Sequence, residues 1–163
     1  MITIHRAKVE EVLEVKKLLF ETWTSAYSEY YSPEAIEIVT TEWHSPELLT
    51  KQIKNPSWFF GVAKDGNKIV GMCNASLTHK GVVINIQRLH VHPKYQRQGI
   101  GSLLINTAIK AFPKAIKVNL EVEKQNHRAY VFYQKQGFKD VGKKVFEIKG
   151  VSMPSIVMEK TIL

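Results

Sequence analysis

The fold is decided by one stretch of sequence, LHVHPKYQRQGIGSLL at residues 89–104. A β-type run ends at Pro93, a short basic loop with two glycines follows, and a helical pattern then continues to Phe112. The apolar stripe of this helix comprises Leu103, Leu104, Thr107, Ala108, Ala111 and Phe112. Free N–H groups of the first helical turn point into such a loop, with the positive end of the helix dipole behind them. The stretch therefore predicts a strand, a glycine loop and a helix that together bind a phosphate-like anion.

Length and composition limit the class of protein. The chain has 163 residues, 44% of them hydrophobic and 23% charged, so we expect one globular domain spanning residues 1–163. No run approaches the roughly 20 apolar residues that a membrane span needs, and residues 1–6 do not resemble a signal peptide. Cys73 is the single cysteine and cannot form an internal disulfide. We therefore expect a cytoplasmic protein without a membrane partner.

Charge is distributed unevenly along the chain. The net charge is +8, yet residues 18–50 contain six glutamates and no lysine or arginine. The rest of the chain holds all 23 basic residues and nine acidic ones. Two interpretations stay open: ordinary solvated helix faces, or two binding surfaces, one for a cation and one for an anion.

Hydrophobic periodicity predicts alternating strands and helices. Two Ser-Pro-Glu triplets predict helices that begin at Pro33 and Pro46, since Ser caps a helix and Pro fits its first position. The other predicted helices cover residues 8–30, the stretch after the glycine loop, and 126–136. The predicted strands cover residues 2–6, 58–63, 68–77, 82–91, 117–123 and a closing hairpin at 145–148 and 155–160. This order predicts an α+β domain with a mixed sheet.

Two motifs carry a family resemblance. The loop Gln96-Arg97-Gln98-Gly99-Ile100-Gly101 is followed downstream by Asn126, Ala129, Tyr133 and the pair Gly137-Phe138. Loop, spacing and element order together resemble the GCN5-related N-acetyltransferases (GNATs), over essentially the whole chain. The N-terminal region, with Trp23, the aromatic residues of 27–31 and the two Ser-Pro-Glu helices, is more loosely similar to polyamine acetyltransferases of the PaiA type.

The resemblance implies a GNAT-like sheet of about six or seven mostly antiparallel strands, with helices on both faces, and acetyl-CoA as co-substrate. The loop would hold the pyrophosphate through Arg97, Gln98, Gly99, Ile100, Gly101 and Ser102. The preceding strand, at Leu89, His90 and Val91, would hold the pantetheine and the acetyl oxygen through its backbone. Asn126 would flank the pantetheine, and Arg128 and Lys135 would meet phosphates. Tyr133 would be the general acid toward the CoA thiolate.

The general base is less clearly indicated. Some members of the family place a carboxylate on the strand before the loop, but residues 82–92 contain no Asp or Glu. Glu121 and Glu123 fall on one face of the next strand, and we rank Glu121 first as the base, acting through water. Paired glutamates on an alternating strand are also typical of a solvated face. Glu21, Glu29 and Glu42 of the acidic segment are further candidates.

Two classes of function stay open. The first is an enzyme that acetylates a cationic primary amine: a polyamine, a protein lysine or an N-terminal peptide, with Trp23, Tyr27, Tyr30 and Tyr31 lining a channel. The second is a CoA- or nucleic-acid-binding module, although no nucleic-acid motif is present and we consider that partner unlikely. His90 and His92 share one side of a strand without a third ligand, so we expect no metal. A homodimer is possible.

Overall fold

Seven strands form one mixed sheet in the computed structural model, which describes residues 1–78 and 80–163. The strands are β1 (Ile2–Arg6), β2 (Trp58–Asp65), β3 (Lys68–Thr78), β4 (Val83–Val91), β5 (Lys117–Glu123), β6 (Lys139–Ile148) and β7 (Val151–Thr161). The helices are α1 (Val12–Tyr27), α2 (Pro33–Trp43), α3 (Pro46–Lys54), α4 (Ile100–Lys110) and α5 (His127–Lys135). The sheet order is β1-β2-β3-β4-β5-β7-β6, and β4 with β5 is its parallel pair.

The two Ser-Pro-Glu triplets begin α2 and α3 as predicted. The Ser32 hydroxyl accepts the Ala35 N–H at 3.1 Å, and the Ser45 hydroxyl accepts the Leu48 N–H at 3.2 Å. Each hydroxyl satisfies one of the N–H groups that the first helical turn leaves without a partner. The helix predicted at 8–30 is shorter, because a single 3-10 turn at Val9–Glu11 precedes α1.

The closing hairpin is longer than its sequence pattern indicates. Both strands extend beyond the predicted 145–148 and 155–160. β6 lies at the edge of the sheet and is almost entirely exposed, so it shows no apolar alternation. β7 contains Pro154, a residue that argues against a strand, yet Pro154 pairs with Val145 of the edge strand.

Helices cover both faces of the sheet. On one face α4 buries Ile100, Leu104, Ile105 and Ala108 against the strands. On the other face α1 and α3 bury Val15, Leu19 and Leu49 with Val62 and Met72 of the sheet. The buried face of α4 differs from the apolar stripe that the sequence predicted. Leu103 is 47% exposed, whereas Ile100, which the sequence pattern assigned to the glycine loop, is buried.

The parallel pair separates halfway along its length. Residues 83–86 of β4 pair with residues 117–120 of β5, and beyond them the two strands continue without pairing. On its other side β4 has a bulge, because Arg88 and Ile86 pair with the consecutive residues Asn74 and Ala75 of β3. The bulge leaves Gln87 unpaired and shifts the alternation of side chains by one residue. The separation opens a cleft between β4 and β5 that begins after Ile86 and Leu120.

Neighbouring leucines of α4 test this packing. We expect Leu104→Ala to lower the free energy of unfolding by about 2–5 kcal/mol, because Leu104 is fully buried in the core. Leu103→Ala is the matched control and is expected to cost less than about 1 kcal/mol, since its side chain is half exposed. Urea unfolding followed by circular dichroism measures both. Equal losses in the two variants would contradict the packing of α4.

Candidate active site

The cleft between β4 and β5 opens into a cavity of about 310 Å³. Residues 86–90 of β4 and 120–123 of β5 form two of its walls, and α1, the end of α2 and the start of α5 complete it. A volume near 300 Å³ is at the lower end of the range for small-molecule sites. The cavity therefore has the dimensions of a site for a small substrate.

The backbone of β4 faces this cleft at Leu89 and Val91. The His92 N–H donates to the Val70 carbonyl of β3 at 2.8 Å. Because backbone groups alternate along a strand, those of His90 also face β3, and those of Leu89 and Val91 face the cleft. The Val91 carbonyl accepts from the Gln96 side chain at 2.9 Å. The predicted backbone edge thus borders the cleft at Leu89 and Val91, whereas His90 contributes its side chain to the cavity wall.

The glycine loop precedes α4 with its backbone open to solvent. Arg97 and Gly99 both have left-handed backbone conformations, with φ of 64° and 81°. Gly99 is the N-cap residue and provides no side-chain cap, so the N–H groups of the first turn of α4, at Ile100, Gly101 and Ser102, are not capped by it. Arg97, Gln98 and Gly99 are exposed. This arrangement agrees with an anion site at the helix N-terminus.

The two glycines of the loop have different structural reasons. A Cβ on Gly99 would meet no atom within 4 Å, so its glycine is explained by the left-handed backbone. A Cβ on Gly101 would lie 3.0 Å from the ring of Phe132. Gly101 therefore allows α4 and α5 to pack closely.

The start of α5 lies beside the loop. The Asn126 side chain caps α5 by accepting the Ala129 N–H at 3.1 Å, and it donates to the Tyr27 hydroxyl at 3.2 Å. Arg128 is exposed and donates to the Gln96 side chain at 2.9 Å, so it lies next to the loop as predicted for a phosphate contact.

The far end of α5 holds the last predicted phosphate ligand. Lys135 is exposed there, beside Gln136, whose side chain donates to the Ser102 hydroxyl at 2.9 Å. Ser102 therefore has a protein partner for its hydroxyl, and its backbone N–H is the group that the loop offers to an anion.

Tyr133 lies on the inner side of α5 and lines the cavity. Its ring packs between Phe132 and Phe138, with ring centroids 5.3 and 5.7 Å away. Burial, reinforced by Cys73 and Tyr27 nearby, raises the pKa of the Tyr133 hydroxyl above its usual range. The hydroxyl therefore stays protonated and can act as a donor.

Glu121 and Glu123 share one face of β5 and both line the cavity. The Glu123 carboxylate is 7% exposed, and it accepts from the Tyr31 hydroxyl at 2.9 Å and from the Gln125 N–H at 2.7 Å. Its burial raises its pKa, against the lowering effect of these hydrogen bonds. Glu121 is exposed, and Lys144 lies 3.4 Å from its carboxylate.

The acidic segment contributes aromatic rings rather than charge. None of the six glutamates of residues 18–50 lines the cavity. Glu21 pairs with His92 at 3.4 Å and Glu42 with Lys149 at 2.5 Å, outside the cavity. The segment instead supplies the rings of Trp23, Tyr27 and Trp43 to the wall. The negative charge of the cavity comes from Glu121 and Glu123 of β5. The sequence did not indicate this, because the glutamates along a segment do not reveal which of its faces turns toward a cavity.

Arg88 is a site residue that the sequence pattern did not indicate. It lines the cavity and donates to the Trp43 carbonyl at 2.5 Å and to the Gln52 side chain at 2.7 Å. His90 lies two residues further, 3.1 Å from the Thr22 hydroxyl, and burial together with Arg88 lowers the pKa of its imidazole to about 3. An arginine within a strand that contains no Asp or Glu was the available signal.

The described residues contain neither a metal-binding cluster nor a membrane-spanning helix. Across residues 1–78 and 80–163, no three His, Cys, Asp or Glu side chains are grouped so as to hold a metal ion. In the same residues no helix has the length and apolar character needed to cross a membrane.

Comparison with known proteins agrees with this geometry. A family model described as an acetyltransferase (GNAT) domain matches residues 27–162. A spermidine N(1)-acetyltransferase from Thermoplasma acidophilum is 29% identical over 145 residues, which cover 85% of this chain and 88% of that protein. A probable N-acetyltransferase from Mycobacterium tuberculosis is 26% identical over 95% of this chain and 91% of its own length.

A solved structure extends the likeness to three dimensions. The crystal structure of the PaiA N-acetyltransferase from Thermoplasma acidophilum in complex with coenzyme A has a TM-score of 0.83 with this chain. The two are 26% identical and each is covered over 99% of its length. The predicted mixed sheet with helices on both faces is thereby confirmed.

Proposed function

Because the chain belongs to the GNAT family and is thus an acetyl-CoA-dependent N-acetyltransferase, we propose that it acetylates a cationic primary amine, with polyamines such as spermidine as the leading acceptors. Acetyl-CoA supplies an activated thioester. A C–N bond forms to the amine nitrogen, the C–S bond breaks, and CoA leaves as a thiol. The amine must lose a proton and the leaving sulfur must gain one, so the protein needs a base and an acid.

The chain's own groups fit acetyl-CoA. The uncapped first turn of α4 and the left-handed backbone at Gly99 suit the pyrophosphate. Arg97 lies in this loop, Arg128 contacts the neighbouring Gln96, and both bring positive charge. The Leu89 backbone borders the cleft, where its N–H is available to the acetyl oxygen and to the oxyanion that forms during attack. Asn126 keeps the start of α5 against the cavity.

Glu121 and Glu123 have different parts in this proposal. Glu121 immediately follows the last residue of β5 that pairs with β4, and its side chain is exposed. It is therefore positioned to accept a proton from the amine through water. Glu123 is buried, and both its oxygens already accept hydrogen bonds. We assign to Glu123 the binding of the ammonium form of the acceptor and to Glu121 the base.

Tyr133 is the proposed general acid. Its hydroxyl lines the cavity on the α5 side, and its raised pKa keeps the proton on the oxygen at neutral pH. A phenol in that state is suited to donate a proton or a hydrogen bond to the CoA sulfur as the C–S bond breaks.

The proposed acceptor class rests on one observation: the two carboxylates of β5 line the cavity into which the cleft opens. Aromatic rings surround them, with the centroids of Trp23 and Tyr27 4.6 Å apart. Rings of this kind accommodate a methylene chain and attract an ammonium group through cation–π contacts. The name of the Thermoplasma relative, a spermidine acetyltransferase, supports a polyamine. Protein lysines and N-terminal peptides are the alternative acceptors. Assembly into a homodimer remains a prediction from the sequence.

An acceptor screen tests the proposed function. With acetyl-CoA present, we expect spermidine to cause release of free thiol, measured with a thiol reagent, while lysine-bearing and N-terminal peptides give slower release. Glu123→Gln should raise the KM for spermidine roughly 10-fold, since one charged contact is lost. Glu29→Gln, an exposed glutamate of the acidic segment, is the matched control and should leave KM unchanged. Absence of release with every amine, together with salt-sensitive RNA binding, would favour a binding module.

Substitution of the proposed base gives a kinetic test. We expect Glu121→Gln to lower kcat about 100-fold or more near neutral pH, with the deficit narrowing at alkaline pH as more amine is deprotonated in solution. The control is Glu159→Gln, which also removes a carboxylate paired with a lysine, 2.9 Å from Lys117, but outside the cavity. A wild-type kcat and pH profile in Glu121→Gln would exclude Glu121 as the base.

Substitution of the proposed acid is independent of the base. We expect Tyr133→Phe to lower kcat roughly 10- to 100-fold while the KM for the amine stays the same, because the phenol acts on the leaving group. Tyr130→Phe removes a hydroxyl from the same helix, one that donates to Asp140 at 3.0 Å, and should keep wild-type kcat. Equal kcat in the two variants would argue for a purely structural Tyr133.

A further inference from the structure

A partly buried cation, Arg88, lines the acceptor cavity without an anionic partner. Arg88 donates to the Trp43 carbonyl and to the Gln52 amide oxygen, both of them neutral acceptors. Within the described residues no carboxylate oxygen comes within 4 Å of its guanidinium. Burial lowers the Arg88 pKa to about 10, so the group stays charged at neutral pH. A buried charge that neighbouring groups do not neutralise is unfavourable until an opposite charge joins it.

The groups around Arg88 do not supply that opposite charge. The His44 and His90 rings lie 6.3 Å apart, and burial lowers the pKa of both imidazoles, so both are neutral at pH 7. One guanidinium therefore accounts for the positive charge on this wall, and a single negative charge balances it. The two glutamates of the cavity stand on β5, across the cleft, and Glu123 is engaged by Tyr31 and Gln125.

A second buried donor points to the same ligand chemistry. The Trp23 indole is 7% exposed and lines the cavity, and its Nε1–H has no hydrogen-bond partner. An indole N–H can only donate, so the missing partner is an acceptor atom. The Trp23 ring centroid lies 6.0 Å from that of Trp43, whose carbonyl Arg88 contacts, and 5.8 Å from that of His44. The same cavity is thus lined by a cation without an anionic partner and by an N–H donor without an acceptor.

We propose that this wall is a carboxylate subsite in which Arg88 and the Trp23 indole bind the acid group of the acceptor, so that the enzyme acetylates long-chain amines that also carry a carboxylate, with lysine as the probe. The inference rests on the proposed function, acetylation of a cationic primary amine, and moves the preferred acceptor from a polyamine to an amine that also carries a carboxylate. The carboxylate joins the β4 wall, and the ammonium end lies toward the carboxylates of β5. The reaction itself is unchanged: the side-chain amine takes the acetyl group and loses one proton, and CoA leaves as thiol.

A matched pair of acceptors isolates the subsite. Lysine and cadaverine have the same carbon chain and the same two amines, and they differ only in the carboxylate. We expect kcat/KM for lysine to exceed that for cadaverine roughly 10- to 100-fold, the range expected for hydrogen bonds to a charged group. In Arg88→Gln this ratio should fall toward one. Trp23→Phe keeps an aromatic ring without the N–H donor and should lower the ratio by a smaller factor.

Controls separate the subsite from general damage to the protein. Arg6→Gln removes an arginine that likewise donates to a tryptophan carbonyl, that of Trp58 at 3.1 Å, but lies outside the cavity, and its lysine-to-cadaverine ratio should equal that of the wild type. Thermal unfolding and acetyl-CoA binding identify any variant that fails to fold. If Arg88→Gln is misfolded, Trp23→Phe carries the same comparison.

The possible outcomes distinguish this inference from the proposed function. Turnover of cadaverine equal to or better than that of lysine, with no change of ratio in the variants, overturns the carboxylate subsite and leaves the amine acetyltransferase intact. Turnover of neither amine, together with no turnover of spermidine, overturns the proposed acceptor class. Calorimetric titration of lysine and cadaverine into the CoA-bound protein then decides the subsite by itself. Tighter binding of lysine that Arg88→Gln abolishes supports it, and equal or weaker binding of lysine overturns it.

Discussion

The separation of β4 from β5 is the constraint on which the rest of the structure depends. Two parallel strands that stop pairing after four residues leave backbone donors and acceptors of Leu89 without a partner in the sheet. Unpaired buried backbone groups are unfavourable, so such a cleft persists only where the surrounding elements hold it open and a ligand or water satisfies it. α1 and the end of α2 on one face and α5 on the other provide that support, and the pairing of β5 with β7 keeps β5 in place beyond the cleft.

The cleft also separates two kinds of chemistry. On the α4 side the free backbone N–H groups and exposed arginines suit the phosphates of a large anionic co-substrate. On the α1 side the cavity combines aromatic rings, two carboxylates from β5 and one guanidinium from β4. In the proposed mechanism the reaction takes place where these regions meet, and Tyr133 of α5 lines the cavity there. The polarity of the acceptor cavity is thus divided between its two strands, negative on β5 and positive on β4.

Much of the fold could be predicted from sequence because its signals are local. The Ser-Pro-Glu caps gave the starts of α2 and α3, and the strict alternation of residues 117–123 gave β5 with its observed bounds. The edge hairpin was underestimated, since β6 alternates in no apolar pattern and Pro154 interrupts β7. The cofactor loop was recognisable by its glycines. The reason for Gly101 was not, because the ring of Phe132 that it accommodates lies 31 positions away in the sequence.

The acceptor cavity was harder to predict, because its side chains are brought together by long-range contacts. Tyr31 and Glu123 are 92 residues apart in sequence, Tyr27 and Asn126 are 99 apart, and Trp43 and Arg88 are 45 apart. Arg88 and His90 line the cavity because one extra residue, Gln87, shifts the alternation of β4. If the same sequence paired without the bulge, so that Gln87 took a place in the ladder opposite Asn74, the two faces of residues 88–91 would be exchanged. The guanidinium would then enter the apolar layer under α4, and leucine and valine would line the acceptor wall. The presence or absence of one bulge therefore decides, in this fold, whether this wall is polar or apolar, a route by which related enzymes with the same sheet can diverge in the acceptors they use.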